Sequence, residues 1–176
     1  MNVNRTAPFV FPEGRRFEHV EAVHLGDALT RFAGQSELFT GLNFAELALL
    51  AGYLEVYRAR SGDVLVKENE PGDFMLLVIE GEIDILKEGL TGQRQRMSTV
   101  GAGRTVGEMS MIDGAPRFAT CIAARLTTFA ILTREQIGRM IADQPALACK
   151  ILVNLVAMLS ARLRHTTAQL MNQIAR

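Results

Sequence analysis

Three short apolar runs alternate with turn-forming residues in the segment 61–89, SGDVLVKENEPGDFMLLVIEGEIDILKEG. The runs are Val64–Lys67, Phe74–Ile79 and Ile83–Lys87, and Gly, Pro, Asp or Ser separates them about every ten residues. Runs of this length between turn signals predict β-strands instead of helices. Phe74–Ile79 is apolar throughout, which predicts a strand that is buried on both faces.

The same spacing of turn signals continues from Tyr53 to Thr133. A last apolar run, Cys121–Leu132, has a break near Arg125 and predicts the closing hairpin. Short strands at this spacing are typical of an antiparallel sandwich or barrel. The sequence therefore predicts an α+β fold, in which residues 53–133 form an antiparallel β-roll. This roll, a double-stranded jelly roll of eight strands, is expected to lie between N-terminal helices and a long C-terminal helix.

The residues ahead of the roll are expected to form two parts. Residues 1–16 are predicted to be a flexible N-terminal arm, because the segment is mostly polar and Pro8 and Pro12 flank its short Phe-Val-Phe run. Residues 17–52 are predicted to form N-terminal helices, because apolar residues recur there at three- and four-residue steps. The recurring positions are Val20, Val23, His24, Ala28, Leu29 and Phe32.

Two capping signals predict where helices begin. Asn43, with Glu46 three residues later, predicts a capping box ahead of a helix Phe44–Ala51. Thr133 predicts the cap of a helix Arg134–Ala142.

The C-terminal segment 134–176 is expected to supply a hinge and a lid or dimer helix. Pro145 suits the first turn of a long helix that is expected to reach about Asn172. Its apolar ridge suits either a two-stranded coiled coil or packing on the roll, and the lack of aromatic residues argues against a membrane-surface helix. The ridge consists of Leu152, Leu155, Leu159, Leu163, Leu170 and Ile174, with Thr166 in its gap.

The composition restricts the class of protein. The chain has 176 residues, 48% of them apolar, and a formal net charge of zero, so nothing in its overall charge favours nucleic acid. The N-terminus lacks the features of a signal peptide. The apolar run Ile151–Ala161 is shorter than the roughly 20 residues that span a bilayer, so we expect no membrane span. Cys121 and Cys149 lie in apolar segments and are expected to be buried, reduced thiols of a cytoplasmic protein.

The segment Gly107–Thr120 carries residues from which a binding site can be built. Glu108 opens a short helical run, where backbone amides are unpaired and the helix dipole favours negative charge. Arg117 follows after an Asp-Gly-Ala-Pro turn, and its guanidinium can pair with a phosphate in fork geometry. Taken alone, Glu108 is more simply a helix-start carboxylate, and Arg117 is equally a surface ion-pair partner. Together they suit a ligand that has sugar hydroxyls and one phosphate.

This segment resembles the phosphate-binding cassette of the cyclic-nucleotide-binding domain family. The family pattern is Phe-Gly-Glu-Leu/Met-Ala-Leu, a short gap, and then Pro-Arg-x-Ala-Thr/Ser. The chain has Val106-Gly107-Glu108-Met109-Ser110-Met111-Ile112, followed by Pro116-Arg117-Phe118-Ala119-Thr120. The entry helix and the turns of the roll agree with the family from about residue 38 to residue 172.

The resemblance implies a role for each matched residue. Glu108 would bind the ribose 2′-hydroxyl, and Arg117 would neutralise the cyclic phosphate. The backbone amides from Gly107 through Met109 to Ser110, and the Ser110 hydroxyl, would assist Arg117. The two residues after Arg117 are also expected at the ligand, and they are Phe118 and Ala119. Some family members have a Thr or Ser in place of Phe118 and favour cGMP, so this departure favours cAMP.

The long C-terminal helix resembles the dimer helix of bacterial catabolite activator-type proteins. In those proteins a Thr–Ser pair on the helix meets the adenine amino group, one hydroxyl from each subunit. Thr166 and Thr167 occupy the corresponding positions, and the resemblance therefore implies a homodimer. The alternative is that the two hydroxyls only face solvent on a helix flank. Arg162, Arg164 and His165 are expected to be solvated.

We therefore expect a stand-alone cyclic-nucleotide sensor that prefers cAMP and signals to an effector protein by movement of its C-terminal helices. Activator-type members continue into a helix-turn-helix, whereas this chain stops at Arg176, so direct DNA binding is not expected. A cGMP sensor and a degenerate, ligand-free dimerising adaptor remain alternatives. An enzyme with a cupin-like metal site is disfavoured, because the three His residues all lie in predicted helices outside the roll. We predict no catalytic residues, no metal site and no cofactor.

Overall fold

The computed structural model describes residues 8–21, 24–89 and 91–174. Their strands form two antiparallel sheets. The first has the order β1-β2-β9-β4-β7 and consists of β1 (Glu18–Val20), β2 (Glu55–Ala59), β9 (Thr127–Thr133), β4 (Phe74–Glu80) and β7 (Thr105–Val106). The second has the order β3-β8-β5-β6 and consists of β3 (Val64–Val66), β8 (Thr120–Ala123), β5 (Glu82–Glu88) and β6 (Arg94–Gly101).

Five α-helices flank or interrupt the roll within the described part of the chain. They are α1 (Leu25–Phe32), α2 (Phe44–Ala51), α3 (Glu108–Asp113), α4 (Arg134–Asp143) and α5 (Pro145–Ile174). Short 3-10 turns cover Pro12–Gly14 and Glu37–Phe39. The predicted α+β roll with N-terminal helices and a long C-terminal helix is confirmed.

Strand β4 lies inside the first sheet, paired with β9 on one side and β7 on the other. Its residues from Phe74 to Val78 are all buried, as the unbroken apolar run predicts. Alternate side chains of this strand join two different apolar clusters. Met75 and Leu77 pack with the helices, whereas Phe74, Leu76 and Val78 pack inside the roll.

The segment 17–52 was predicted to be helical, but the structure corrects this prediction, because the segment begins with a strand. Glu18–Val20 pairs with β2, Glu18 opposite Arg58 and Val20 opposite Val56. This pairing satisfies the open edge of β2, and the tertiary contact overrides the helical spacing around Val20. It also brings the number of described strands to nine instead of the predicted eight. Val23, another of the predicted helical positions, lies outside the described residues.

The predicted flexible arm is also corrected where it is described, from Pro8 onward. Phe11 is only 3% exposed and packs edge-on against Phe9, Phe17 and Tyr57. The backbone N–H of Phe9 donates to the Glu55 carboxylate and to the Tyr57 hydroxyl, each at 3.0 Å. The Phe-Val-Phe run therefore adds two aromatic rings to the apolar core of the roll, which outweighs the polar character of its neighbours.

Both predicted caps are present. The Asn43 side chain accepts from the Glu46 N–H at 3.0 Å, and the Asn43 N–H donates to Glu46 Oε2 at 2.9 Å. Thr133 and Gln136 form the same reciprocal pair at the start of α4, which ends one residue later than predicted, at Asp143.

Helix α5 has 30 residues and is about 45 Å long. Its first half packs against α4 and the 3-10 turn Glu37–Phe39. Leu147, Ile151, Leu155 and Met158 are all buried and belong to the apolar cluster that also includes residues of α1 and α2. The Asn154 side chain donates to the carbonyls of Leu38 and Thr40, at 2.8 and 2.9 Å. Of the predicted ridge, Leu155 is buried, Leu152 and Leu159 are partly buried, and Leu163, Leu170 and Ile174 are exposed.

The part of α5 from Pro145 to Asn172 is long and apolar enough to cross a membrane by length and composition, with a mean hydropathy of 1.7. Core helices of soluble proteins meet the same criterion. In this chain the first half of the helix packs on the protein's own core. The expected lack of a membrane span stays a prediction.

Candidate functional site

The segment Gly107–Thr120, called the cassette from here on, begins where β7 ends and α3 starts. Gly107 caps α3 with a φ of +85°, a left-handed conformation that a side chain would strain. A Cβ on Gly107 would also lie 2.7 Å from Nη1 of Arg117. Only glycine therefore lets the backbone turn here and lets Arg117 approach it.

Arg117 lies inside the protein, only 3% exposed. Its Nη1 donates to the carbonyl of Gly107 at 2.9 Å, and its guanidinium lies 4.4 Å from the centre of the Phe74 ring. Its backbone N–H donates to the carbonyl of Glu70 at 2.8 Å. A Cβ on Gly72 would lie 2.0 Å from Nε of Arg117, so Gly72 provides the space that the guanidinium occupies.

The charge of Arg117 lacks a direct counterion in the described part of the chain. Its Nη2 atom is buried and has no hydrogen-bond partner there. Glu70 and Asp73 act on it electrostatically from beyond ion-pair distance. Burial lowers the pKa of Arg117 from its ordinary value, because the charged form has lost solvation. An anion at Nη2 would offset that loss.

Glu108, in contrast, is fully paired although it is only 2% exposed. The hydroxyl of Thr105 donates to its carboxylate. Arg162, on α5, forms an ion pair with both carboxylate oxygens, at 3.0 Å to each. The same guanidinium donates to the carbonyl of Thr105 at 3.1 Å.

The prediction that Arg162 is merely solvated missed this ion pair with Glu108. The side chain is partly exposed, but its charged end lies on a buried carboxylate. A buried Glu needs a cation or several donors, and that requirement was the signal available in the sequence. The partner could not be chosen from sequence, because Arg162 is 54 residues away from Glu108. The Arg164 guanidinium, two residues on, donates to the Ser160 hydroxyl at 2.8 Å on the exposed side of the helix.

A cavity of about 130 Å³ lies between these groups. Seven of the predicted ligand residues line it, and Arg162 adds a cation from α5. The seven are Gly107, Glu108, Met109, Ser110, Arg117, Phe118 and Ala119. The remaining lining is mostly apolar and consists of Val66, Ile85, Val106 and Cys121. The volume is below the roughly 300 Å³ at which small-molecule sites begin.

Phe118 forms part of the cavity edge, because it lines the cavity and is 55% exposed. Nζ of Lys87 lies 4.4 Å from the centre of its ring. The same ammonium donates to the carbonyl of Phe118 at 2.8 Å and to the carboxylate of Glu68 at 2.5 Å. Phe118 is thus held next to a cation at the position where some family members have a hydroxyl.

Thr166 and Thr167 do not line this cavity within one copy of the chain. Both are exposed, and the Thr166 hydroxyl donates to the carbonyl of Arg162 at 2.9 Å. Their predicted contact with a base depends on a second copy of the helix and stays a prediction.

The two cysteines differ. Cys121 is buried beside the cavity, and burial raises the pKa of its thiol to about 12. Cys149 is exposed on α5, so the prediction that both thiols are buried is wrong for this residue. In the described ranges, no group of three or more His, Cys, Asp or Glu residues is arranged to hold a metal ion.

An antiparallel roll that encloses a buried arginine and a buried glutamate around one small cavity defines a ligand-binding domain, and the cassette specifies its kind. The family model described as "Cyclic nucleotide-binding domain" matches residues 56–144. The chain therefore belongs to the cyclic nucleotide-binding domain family.

Known proteins agree with this assignment. The chain is 30% identical to the cyclic AMP receptor protein of Thermus thermophilus over 135 residues, which is 77% of this chain and 61% of that protein. It is similar to the crystal structure of a cyclic nucleotide-binding domain from Methylobacillus flagellatus, with a TM-score of 0.79 and 33% identity over 88% of each chain. The structure of the Thermus thermophilus catabolite activator protein gives a TM-score of 0.72 and 29% identity, over 78% of this chain and 63% of that one. The chain thus spans about three fifths of the receptor protein's length.

Proposed function

We propose that this chain is a sensor that binds a cyclic nucleotide, cAMP in preference to cGMP, between Arg117 and Glu108. The observation that carries the proposal is the buried guanidinium of Arg117, whose Nη2 atom has no partner in the described part of the chain. A singly charged cyclic phosphate on this side chain supplies both the missing acceptor and the missing counter-charge. In this proposal the chain has no catalytic residues, takes no metal or cofactor, and works in the cytoplasm.

The ribose end of the ligand meets a carboxylate that is already occupied. A ribose hydroxyl donates to Glu108 only if Arg162 shares that carboxylate or moves away from it. The cavity must also widen, because it is smaller than sites that hold ligands of this size. Ligand entry and the position of α5 are therefore linked through Arg162.

This link gives the signal its mechanism. A ligand shifts a helix only when it binds one helix position better than the other. The nucleotide competes with Arg162 for Glu108, so it favours a position of α5 in which this ion pair is rearranged. The junction of α4 and α5, where Gln144 separates the two helices and Pro145 begins α5, is where the helix can change its angle.

Two observations support cAMP over cGMP. Phe118 stands where a hydroxyl favours cGMP in the family, and its ring has no hydrogen bond to offer. The relative from Thermus thermophilus is named a cyclic AMP receptor protein.

The exposed side of α5 supports a homodimer. Val153, Val156, Leu163, Leu170 and Ile174 are each more than half exposed. Together with Ser160 and Thr167 they alternate at three- and four-residue steps, which is the spacing of a two-stranded coiled coil. A second copy of α5 would cover this stripe and place Thr167 in the seam. A ligand-induced change in the position of one α5 would then reach the partner helix and an effector protein.

A ligand-free dimerising adaptor is the second candidate. It is favoured by the ion pair between Arg162 and Glu108, which already satisfies the ribose-binding carboxylate, and by the small cavity. The unpaired Arg117 counts against it, because an adaptor gains nothing from a buried cation without a counterion.

Thermal melting with each nucleotide separates these candidates. At a hundredfold excess over the dissociation constant, bound cAMP should add about 2.7 kcal/mol of stability, and cGMP less at the same concentration. Arg117→Ala should abolish the increase in melting temperature. Arg164→Ala is the matched control, because Arg164 lies on the exposed side of α5 outside the cavity lining, and it should keep the increase. If neither nucleotide raises the melting temperature of the wild type, the adaptor is the better account.

A further inference from the structure

The segment Pro8–Phe17 is attached to the same part of the roll that holds Arg117. Nη2 of Arg15 forms an ion pair with Oε2 of Glu70 at 2.5 Å, and both side chains are largely buried. Two residues earlier, the Glu13 carboxylate accepts from Nζ of Lys67 at 3.0 Å. The segment is therefore joined by two ion pairs to the turn between β3 and β4.

That turn also fixes the backbone of Arg117. The Arg117 N–H donates to the carbonyl of Glu70 at 2.8 Å, and the Asn69 N–H donates to the carbonyl of Arg117 at 2.9 Å. The Lys67 N–H donates to the Glu70 carboxylate at 3.3 Å, which orients that side chain. Glu70 is thus bonded to Arg15 through its side chain and to Arg117 through its backbone.

A second route joins the segment to Arg117 through an aromatic ring. The rings of Phe9 and Phe74 meet edge-on, with their centres 4.9 Å apart. The guanidinium of Arg117 lies 4.4 Å from the centre of the same Phe74 ring.

The buried, unpaired side-chain N and O atoms of the described chain all fall in this group. The buried side-chain atoms without a hydrogen-bond partner there are Nε of Arg15, Oε1 of Glu70 and Nη2 of Arg117. Glu70 therefore has one unpaired oxygen, and Arg117 has one unpaired nitrogen. The Glu70 carboxylate forms its ion pair with Arg15 and not with Arg117. Without Arg15, a buried carboxylate would lack its cation, and Arg117 is the cation bonded to the same turn.

We propose that Arg15 is a positioning residue for the anion site: it neutralises Glu70 and so keeps the guanidinium of Arg117 available to an anionic ligand. The segment Pro8–Phe17 is then a working part of the site. When Arg15 is lost, Glu70 pairs with Arg117, and an incoming phosphate must displace that carboxylate. The ligand in this inference is the cyclic nucleotide of the proposed function, on which it rests.

The first test uses the full chain without ligand. We expect the Nε–Hε NMR resonance of Arg117, assigned with the Arg117→Lys variant, to move in Arg15→Met and to return in the double variant Arg15→Met/Glu70→Gln. Arg16→Met is the matched control, because Arg16 is the exposed neighbour, and it should leave the resonance in place. An unchanged resonance in Arg15→Met overturns the proposal.

The second test is the affinity for cAMP, measured by calorimetric titration of the same variants. Arg15→Met should bind about tenfold more weakly than the wild type. In the Glu70→Gln background, the same substitution should change neither the resonance nor the affinity, since no carboxylate remains to compete. The double variant Arg15→Met/Glu70→Gln removes the Glu70 carboxylate together with the cation that pairs with it, so it remains usable if Arg15→Met alone does not fold.

A loss of affinity that persists in the Glu70→Gln background would mean that Arg15 acts only by supporting the fold, and the proposal would be wrong. If the resonance moves as expected but the wild type binds neither cAMP nor cGMP, the coupling of Arg15 to Arg117 stands and the proposed nucleotide function falls.

Discussion

At the scale of single residues, the site depends on the absence of two side chains. Gly72 and Gly107 lie against the guanidinium of Arg117, with virtual Cβ distances of 2.0 and 2.7 Å. The positive φ of Gly107 makes any substitution there strained as well as crowded, whereas Gly72 is restricted by space alone. Gly72 therefore allows a cleaner test of how closely Arg117 must be held.

We expect Gly72→Ala to weaken nucleotide binding more than it weakens the fold. The added methyl group displaces the guanidinium, which loses its bond to Gly107 and its contact with Phe74. These losses should cost about 1–3 kcal/mol of unfolding free energy. The measurement is the melting temperature with and without cAMP, and the increase caused by cAMP should nearly disappear.

Gly138→Ala is the matched control for this substitution. A Cβ on Gly138 meets nothing within 4 Å, and the residue lies in α4 away from the cavity lining. Its melting temperature should stay the same or rise slightly, because Ala favours a helix. A normal response to cAMP in Gly72→Ala would show that the position of Arg117 is not critical.

At the scale of elements, α5 has two different surfaces along its length. Its first half is a core element, with Leu147, Ile151 and Leu155 buried. In its second half, residues 161–172 are exposed, and Arg162 in this half contacts Glu108 of the cassette. The helix thus connects the cavity to an exposed apolar stripe, which is the connection that the proposed signalling through α5 requires.

We expect Leu163→Glu to separate the dimer without unfolding the chain. Leu163 is exposed within one copy, so a charge there costs little in the monomer but is repelled by its symmetry mate in a coiled coil. Sedimentation velocity should show a shift from dimer to monomer.

Gln169→Glu adds the same charge to an exposed position outside the stripe and should remain dimeric. A wild type that is monomeric at every concentration would contradict the proposed pairing of α5.

At the scale of the whole molecule, much of the architecture could be predicted because it depends on patterns of residues that are close together in the sequence. Turn residues at regular spacing predicted the roll, and Asn43 and Thr133 predicted helix starts. Seven of the residues that the cassette predicts at a ligand lie around one cavity, and their binding of a ligand stays a prediction. These features depend on a few neighbouring residues, or on a motif whose spacing is fixed.

The features that were missed depend on partners far away in the chain. The strand Glu18–Val20 forms because it can pair with the open edge of β2. Phe11 is buried because it packs into the apolar cluster inside the roll. The guanidinium of Arg162 contacts the cassette because the buried Glu108 carboxylate needs a counterion. Local periodicity carries none of this information, since a helical spacing or a basic helix face looks the same whether or not such a partner exists.

The central claim is that the cavity between Arg117 and Glu108 takes a cyclic nucleotide, and a calorimetric titration of the wild-type chain with cAMP tests it most directly. We predict saturable binding of one nucleotide per chain, which Arg117→Ala abolishes and Arg164→Ala preserves. A titration that shows no saturable heat with either cAMP or cGMP would contradict the claim.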